Sequence, residues 1–424
     1  MPRQRRGLAA RRAGLGYTQE RFAETVGVER STVWRWEKGT AAPLPEQRPR
    51  IVSVLGVTPE ELDDLLNETA AKDTSSPQSH VPEHPGVTST SSWDDPDELW
   101  LQLQELQESN VGDEQLRFLE DQVPRIVAEY EHRGPVELGP VVVRARRQVH
   151  QLLRGRQTLR IRYRLHRLAG QLAGLAGYMA VNMGRFRLAN VYCQEALLCA
   201  TEIGDVDLQA WVWGTYSLGA YYQGDFQQAY SHAGRGRALA PQSPQSIRLL
   251  VNGQARALGK LGDRAGVEKA VGQALSLLDH HEISPELTPC LSFEPYGYAR
   301  LAANAATAYV PLGDTERVLH YTGDVDTAVE QADSDWSRAL VRLDVATALL
   351  RQPDPDLEHA LALGTESVRI CADHPIRSVW QRAHTLYGLA QRWAGDARVT
   401  EFTEVLRTWW SRPQVRDVAG GPTR

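Results

Sequence analysis

The feature that most constrains the fold of this chain is a pair of short amphipathic segments that meet at Gly27. The first segment begins after Thr18, a residue type that caps helix N-termini, and its apolar residues recur at the spacing of one helix face. Glycine adopts left-handed backbone conformations without steric penalty, so Gly27 permits a sharp turn. The second segment runs from about Glu29 to Lys38 and has Val33 and Trp36 as its core residues. The pattern predicts two helices joined by a tight turn.

The outer face of the second helix carries Arg30, Ser31 and Arg35. The major groove of DNA admits an α-helix, and an arginine can donate two hydrogen bonds to O6 and N7 of guanine. These side chains therefore indicate duplex DNA as a partner, with G·C-containing half-sites. The alternative is a helical domain that pairs with another protein.

The flanking residues add three more short helices. Helix 1 is expected over about Arg3 to Ala13, and Thr58-Pro59 starts a fifth helix as an N-cap followed by proline. Five short helices in the first 66 residues resemble the helix-turn-helix domain of the phage repressor and Cro-like (Xre-type) family. The resemblance covers about the first sixth of the chain.

This resemblance implies specific roles for residues of the helix pair. Arg30, Ser31 and Arg35 would read bases, while the Gln that opens helix 2 would also contact DNA. An Arg of helix 1 would pair with the Glu that ends helix 3, here Arg12 and Glu37. The implied DNA-binding residues are Thr18, Gln19, Arg30, Ser31, Thr32, Arg35 and Lys38.

Two positions depart from the family pattern. Glu29 stands where Ser or Thr is usual, and we expect its carboxylate to point away from DNA while it favours the positive end of the helix dipole. Trp34 stands where a small or polar residue is more usual. Packing against the core is the preferred interpretation for Trp34, and a position beside a phosphate is the alternative.

The charge of the N-terminal region is only mildly positive. Residues 1–66 hold 11 Arg and Lys against 9 Asp and Glu. We expect five arginines at the start of the chain to face phosphate, and a homodimer on two half-sites about one helical turn apart to supply the remaining affinity. Those arginines are Arg3, Arg5, Arg6, Arg11 and Arg12.

Composition divides the chain into four parts. Residues 69–97 are rich in Ser, Thr, Pro and Asp, and such a segment predicts a flexible linker because it cannot bury enough apolar surface to offset its ordering entropy. It separates a DNA-binding domain at 1–68 from a helical domain at 98–412. Residues 413–424 are expected to be a disordered tail.

Residues 98–412 show an internal repeat. Glycine followed by a polar residue recurs at Gly184, Gly224, Gly262, Gly313 and Gly395, with successive gaps of 40, 38, 51 and 82 residues. Each glycine is expected to end one helix in a left-handed cap, and Pro353-Asp354 would mark the turn missing from the long gap.

The clearest repeat unit resembles the tetratricopeptide repeat; it contains Trp213, Tyr216, Gly224-Asp225-Phe226, Ala229, Ala233 and Pro241. Stacked pairs of this kind form an α-solenoid with a concave inner surface. The predicted fold is therefore all-α, a five-helix domain followed by a solenoid of tetratricopeptide-like pairs. A plain helical bundle is the alternative.

Three further patterns in this region leave alternatives open. The acidic segment 94–137 precedes an arginine-rich segment at 144–167, which predicts mutual neutralisation in preference to an anion site. The long gap predicts a loop whose His280 and His281 form a solvated helix end in preference to a metal site. Four asparagines either face solvent or bond between helices, which we prefer, or grip a peptide backbone: Asn182, Asn190, Asn252 and Asn304.

Other functions receive no support from the sequence. It has no phosphate-binding Gly-Lys-Ser/Thr loop, no Gly-x-Ser-x-Gly elbow and no His-Glu-x-x-His pair, so we expect no enzyme, cofactor or metal. The four cysteines lack a Cys-x-x-Cys spacing, which fits reduced thiols. Without a secretory signal or an apolar stretch long enough to span a membrane, we expect a cytoplasmic protein.

The combination of an Xre-type domain with a tetratricopeptide-like array resembles the peptide-pheromone receptor regulators and a group of actinobacterial regulators. That resemblance implies a homodimer whose helical domain senses a small effector or peptide. The alternative is a scaffold that binds protein partners and uses DNA as a tether. A sensor needs an occluded polar pocket, whereas a scaffold needs an open groove.

Overall fold

The computed structural model describes residues 6–67, 99–100, 103–104, 107–284 and 286–420. They fall in two compact units, one within Met1–Ser92 and the other within Trp93–Arg424. All regular structure in these residues is helical. The predicted linker at 69–97 lies outside the described residues.

The first unit contains five short helices. They are α1 (Arg6–Gly14), α2 (Gln19–Val26), α3 (Arg30–Glu37), α4 (Arg48–Leu55) and α5 (Pro59–Asn67). Their apolar faces meet in one core that includes Leu8, Phe22, Val33, Trp36 and Leu55. The predicted five-helix domain is therefore present.

The second unit is an array of helical pairs that follows two preceding helices. The preceding helices are α6 (Asp113–Glu120) and α7 (Gln122–Leu153). The first pairs are α8 (Leu159–Asn182) with α9 (Phe186–Glu202) and α10 (Val206–Gln223) with α11 (Phe226–Leu239). The third pair joins α12 (Gln245–Arg248), a π-helical segment (Leu249–Ala255) and α13 (Arg256–Leu261) to α14 (Arg264–Asp279).

The later pairs complete the array. They are α15 (Tyr298–Tyr309) with α16 (Thr315–Gln331), α17 (Asp335–Leu349) with α18 (Leu357–Ile370), and α19 (Arg377–Ala390) with α20 (Ala397–Ser411), followed by α21 (Pro413–Ala419). The prediction of an all-α array of helical pairs is confirmed.

Glycine and aspartate make most of the turns within the pairs, as the repeat predicts. Gly224 ends α10 at φ 87°, and the Asp225 carboxylate accepts a hydrogen bond from the N–H of Gln228 at 2.9 Å. The prediction is wrong at Gly395, which is not left-handed, because α19 passes into a 3₁₀ turn before Asp396 caps α20. The turn between α17 and α18 is capped by Asp356, two residues after the predicted position.

Long-range contacts close the array around an interior cavity. The Gln381 amide in α19 donates to the carbonyl of Tyr222 in α10 at 2.9 Å. Tyr130 of α7 meets Trp336 of α17 edge-on at 5.1 Å. The first helices of all six pairs line one partly open cavity.

The C-terminal segment differs from the expected disordered tail. Pro413–Ala419 is helical, and Val415 and Val418 are buried. The Arg377 guanidinium donates to the carbonyls of Val418 at 3.1 Å and Ala419 at 2.6 Å. Proline at the first helical position and two apolar side chains one turn apart give α21 a start and a buried face.

The acidic segment 94–137 and the arginine-rich segment 144–167 neutralise each other in part, which was the preferred interpretation of the sequence. Arg164 of the basic segment pairs with Glu120 of the acidic one at 2.6 Å, and Arg156 pairs with Glu108 at 2.9 Å. Arg146 instead binds Glu195 of α9. The first two ion pairs join α6 and the chain before it to α8 and to the turn between α7 and α8, and the third joins α7 to α9.

A close backbone approach at Gly259 gives the first testable prediction. A Cβ there would lie 2.1 Å from the carbonyl oxygen of Ala308 in α15. Gly259→Ala should lower the stability of the array by about 1–3 kcal/mol, because backbone atoms must move apart. Gly272→Ala is the control, since a Cβ there meets nothing within 4 Å and alanine favours helix by about 0.5–1 kcal/mol. Thermal unfolding of both variants measures the contrast, and equal midpoints would contradict it.

Neither a membrane-spanning helix nor a metal-binding cluster occurs among the described residues. None of the described helices is long and apolar enough to cross a membrane. Within the same residues, no group of three or more His, Cys, Asp or Glu is arranged to hold a metal ion. The four cysteines are free thiols.

Candidate nucleic-acid interface

Local signals fix the start and end of α2. The Thr18 hydroxyl accepts a hydrogen bond from the N–H of Arg21 at 3.2 Å and so caps the helix. At the other end, Gly27 takes φ 81°, and its N–H donates to the carbonyl of Ala23. The left-handed glycine redirects the chain into α3.

The outer face of α3 is formed by four exposed side chains at adjacent positions of the helix. They are Arg30, Ser31, Trp34 and Arg35, with Thr32 and Lys38 half-buried beside them. Val33, Trp36 and Glu37 form the buried face. An eight-residue helix is about 12 Å long, similar to the width of the major groove.

The two arginines of this face make only local, exposed contacts. Arg30 pairs with Glu20 of α2 at 2.7 Å, and both side chains are more than half exposed. Arg35 donates to the hydroxyl of Thr32 at 3.1 Å. Exposed pairs of this kind contribute about 0–1 kcal/mol, so exchanging them for contacts to DNA costs little.

Sequence reasoning missed Glu20 as the partner of Arg30. Both residues lie in the first turn of their helices, and both are exposed. Their opposite charges in successive first turns are the signal that would have indicated the pair.

A buried network holds the two helices together behind this face. Arg12 Nε lies 2.6 Å from Glu37 Oε1, and Gln19 Nε2 donates to Glu37 Oε2 at 2.6 Å. Arg12 also donates to the carbonyl of Tyr17. The structure thus brings together the implied pair of Arg12 and Glu37, and it adds Gln19 to the same carboxylate.

Two arginines expected to face phosphate are bound within the domain. Arg11 donates to the carbonyls of Leu55 at 3.2 Å and Gly56 at 3.3 Å, where α4 ends. Arg12 belongs to the network around Glu37. The unpaired carbonyls at a helix C-terminus attract a guanidinium, which explains the correction for Arg11. Arg3 and Arg5, and the side chain of Arg6, lie outside the described residues.

Two further expectations concern positions that depart from the family pattern. The expectation that Trp34 packs in the core is wrong, because Trp34 is 48% exposed. Its neighbours Val33 and Trp36 fill the core side of α3, so Trp34 projects outward beside Arg30 and Arg35. Glu29 is the N-cap of α3 without a side-chain capping bond, and its carboxylate accepts from Ser31 instead.

The second unit contains a polar interior that sequence reasoning did not locate. Three of the four asparagines bond between helices, which was the preferred interpretation of the sequence. Asn182 donates to Tyr130 at 2.7 Å, Asn252 donates to Asn304 at 2.9 Å, and Asn304 donates to the carbonyl of Arg300 at 2.8 Å. Their side chains line the cavity but are already paired with protein groups.

The expected loop follows α14 and also reaches the interior. The Trp211 indole donates to the carbonyl of Ser292 at 2.6 Å, and the Gln245 amide donates to that of Phe293 at 2.5 Å. His280 is exposed and His281 is half-buried, and they bond to the main-chain carbonyls of Ser276 and Gln242 respectively.

Comparison with known proteins agrees with the geometry of the first unit. Residues 8–62 match the model of a helix-turn-helix family. The match spans α1 to the first half of α5 and includes the buried network and the exposed face of α3. It supports a DNA-binding transcription regulator at the general level. No curated protein matches the chain.

Proposed function

We propose that the chain is a sequence-specific transcriptional regulator of the Xre type. In this proposal the first unit binds an operator, while the helical array forms a homodimer and senses a small effector or peptide. The DNA-binding domain is assigned to residues 1–68 and the tetratricopeptide-like array to 98–412. The protein acts in the cytoplasm, where it meets duplex DNA.

The exposed face of α3 is the observation that carries the DNA-binding half. Arg30, Ser31 and Arg35 form a donor-rich strip on a helix of groove dimensions, and the helix is held rigidly by the network behind it. We assign these three residues to base contacts. We assign Thr32 and Lys38 to phosphate.

Two residues at the start of α2 complete the proposed contact surface. Thr18 is the N-cap of α2 and Gln19 is its first residue. Main-chain N–H groups at the start of a helix favour an anion. Gln19 would contact DNA with the amide group that also holds Glu37. Binding of DNA at Gln19 would then be coupled to the packing of α2 against α3.

The polar interior of the array supports the sensing half. It is lined by polar side chains from the first helix of every pair. A scaffold would need a long open groove to take a protein segment, whereas a partly open polar cavity of about 290 Å³ suits a small ligand. This feature favours the sensor over the scaffold.

Truncation tests the role of the array. A chain that ends at Asn67 should bind the operator about 10²-fold more weakly than the full chain or worse, because two half-sites would no longer be engaged together. Titration of both proteins on the same fragment measures the loss, and sedimentation shows whether the full chain is dimeric. Equal affinities would remove the array from a role in dimerisation on DNA.

A further inference from the structure

The interior cavity consists of two adjoining chambers. The inner chamber has a volume of about 60 Å³ and the outer one about 290 Å³. The residues that line both are Tyr222, Arg256, Thr307, Asp344, Ser378 and Arg382. The outer chamber has space for a small organic molecule, since a water molecule takes up about 30 Å³ of liquid.

The walls of the chambers carry an excess of positive charge. Arg256, Lys260, Arg300 and Arg382 line them, and Asp344 is the one carboxylate among the described lining residues. Four cations against one anion leave a formal charge of +3 in a partly open cavity. Such a wall attracts an anion.

Arg382 and Arg300 have hydrogen-bond acceptors within the protein. Arg382 Nε donates to Asp344 at 2.8 Å, so that pair is neutral. Arg300 is 6% exposed and donates to the carbonyl of Thr288 at 2.7 Å and to Ser337 at 3.1 Å. The carboxylate of Glu131, outside the chamber, also attracts the Arg300 guanidinium.

Arg256 differs from Arg382 because no carboxylate among the described residues is hydrogen-bonded to it, and Asp344 attracts its guanidinium only through space. It is 3% exposed, makes a 3.2 Å hydrogen bond to the Tyr222 hydroxyl and lies over the faces of Tyr221 and Tyr222. Its Nε is buried and finds no acceptor among the described residues. A buried cation is costly unless it is paired with an anion.

The pKa of the Tyr222 phenol reflects the positive charge around it. Burial by itself raises the pKa of a phenol, but the guanidiniums of Arg256 and Arg382 more than offset this and lower the pKa of Tyr222. The electrostatic environment at the junction of the chambers therefore favours a negative charge.

We propose that the two chambers bind a small molecule bearing an oxyanion, a carboxylate or a phosphate, with Arg256 as its principal donor. A guanidinium presents two parallel N–H groups to such a group, and the buried Nε–H of Arg256 has no acceptor among the described residues. The outer chamber, walled by Trp380 and His384, takes the remainder of the molecule. The inference rests on the proposed sensing role and names the class of its effector.

The test is thermal unfolding of the full chain in sodium phosphate, in sodium succinate and in sodium chloride at equal ionic strength. At least one of the two oxyanions should raise the midpoint saturably above that in chloride, because ligands that bind the native state stabilise it. Phosphate alone would indicate a phosphorylated effector, and succinate alone would indicate a carboxylate.

Variants locate the site. Arg256→Gln should weaken oxyanion binding at least about 30-fold, since it removes the buried charge that pairs with the anion. Arg407→Gln removes an exposed charge from α20 and should bind the oxyanion like the unmodified chain. Without oxyanion, Arg256→Gln should unfold at an equal or higher temperature, whereas a purely structural arginine would give a lower one.

A second variant covers the case in which Arg256→Gln does not fold. Asp344→Asn removes the competing carboxylate but keeps an oxygen for Arg382 and Thr307, so it should tighten oxyanion binding. The proposal is overturned if neither oxyanion stabilises the chain beyond chloride, or if Arg256→Gln binds as tightly as the unmodified protein. Operator binding is measured in a separate experiment, so a failure of the proposed DNA-binding function can be distinguished from a failure of oxyanion binding.

Discussion

Replacing Arg30 and Arg35 together by alanine should abolish site-specific DNA binding and leave the fold and dimerisation intact. Each arginine that contacts a guanine at two atoms contributes about 1–3 kcal/mol of discrimination, so the pair corresponds to about 30-fold to 10⁴-fold in affinity. The local cost of the change is small, because both side chains are exposed and make only surface contacts.

The matched control keeps the charge and removes the planar donor fork. Arg30→Lys with Arg35→Lys should retain non-specific binding while losing most of the discrimination, since lysine offers a point charge in place of two parallel donors. Footprinting on an operator and on unrelated DNA separates the two effects. A footprint retained by the double alanine variant would contradict the assignment of α3.

The second large effect is expected at Glu37. Glu37→Ala removes the carboxylate that Arg12 and Gln19 share and leaves the Arg12 guanidinium, 12% exposed, without an anion. Breaking a buried pair from one side costs about 3–5 kcal/mol, and the residual exposure places this case near 3 kcal/mol. A domain of this size has a total stability on the order of 3–9 kcal/mol, so much of the margin is lost.

Hydrogen exchange in the full chain, followed on peptides from residues 6–67, measures this loss without interference from the array. Glu20→Ala is the control, because it breaks an ion pair of the same kinds of residue on the exposed side, and it should cost less than about 1 kcal/mol. Similar protection in the two variants would show that the network around Glu37 adds no stability.

Local sequence signals account for most of the fold. Thr18 and Gly27 fix α2 because the cap and the left-handed turn each depend on one residue type. The Gly224-Asp225 turn acts in the same way between α10 and α11. The failures at Gly395 and at the C-terminal segment arise from tertiary contacts, since Arg377 and the burial of Val418 stabilise α21.

The two sites differ in how far the sequence predicts them. The face of α3 is encoded by neighbouring residues, so Arg30, Ser31 and Arg35 could be named from spacing, whereas Trp34 was expected in the core. The chambers join Arg256, Asp344 and Arg382 from helices far apart in sequence. A buried arginine within a helix looks like an exposed one until the array closes, so no sequence signal marks it.

Selection of genomic fragments by the purified full-length protein, followed by footprinting across a salt series, tests the central claim most directly. The account predicts an enriched pseudo-palindrome with protected G·C pairs in two half-sites about one helical turn apart, and affinity that falls steeply with salt. Selection should be carried out with and without phosphate and succinate. Failure to enrich any fragment under all these conditions would contradict a sequence-specific regulator.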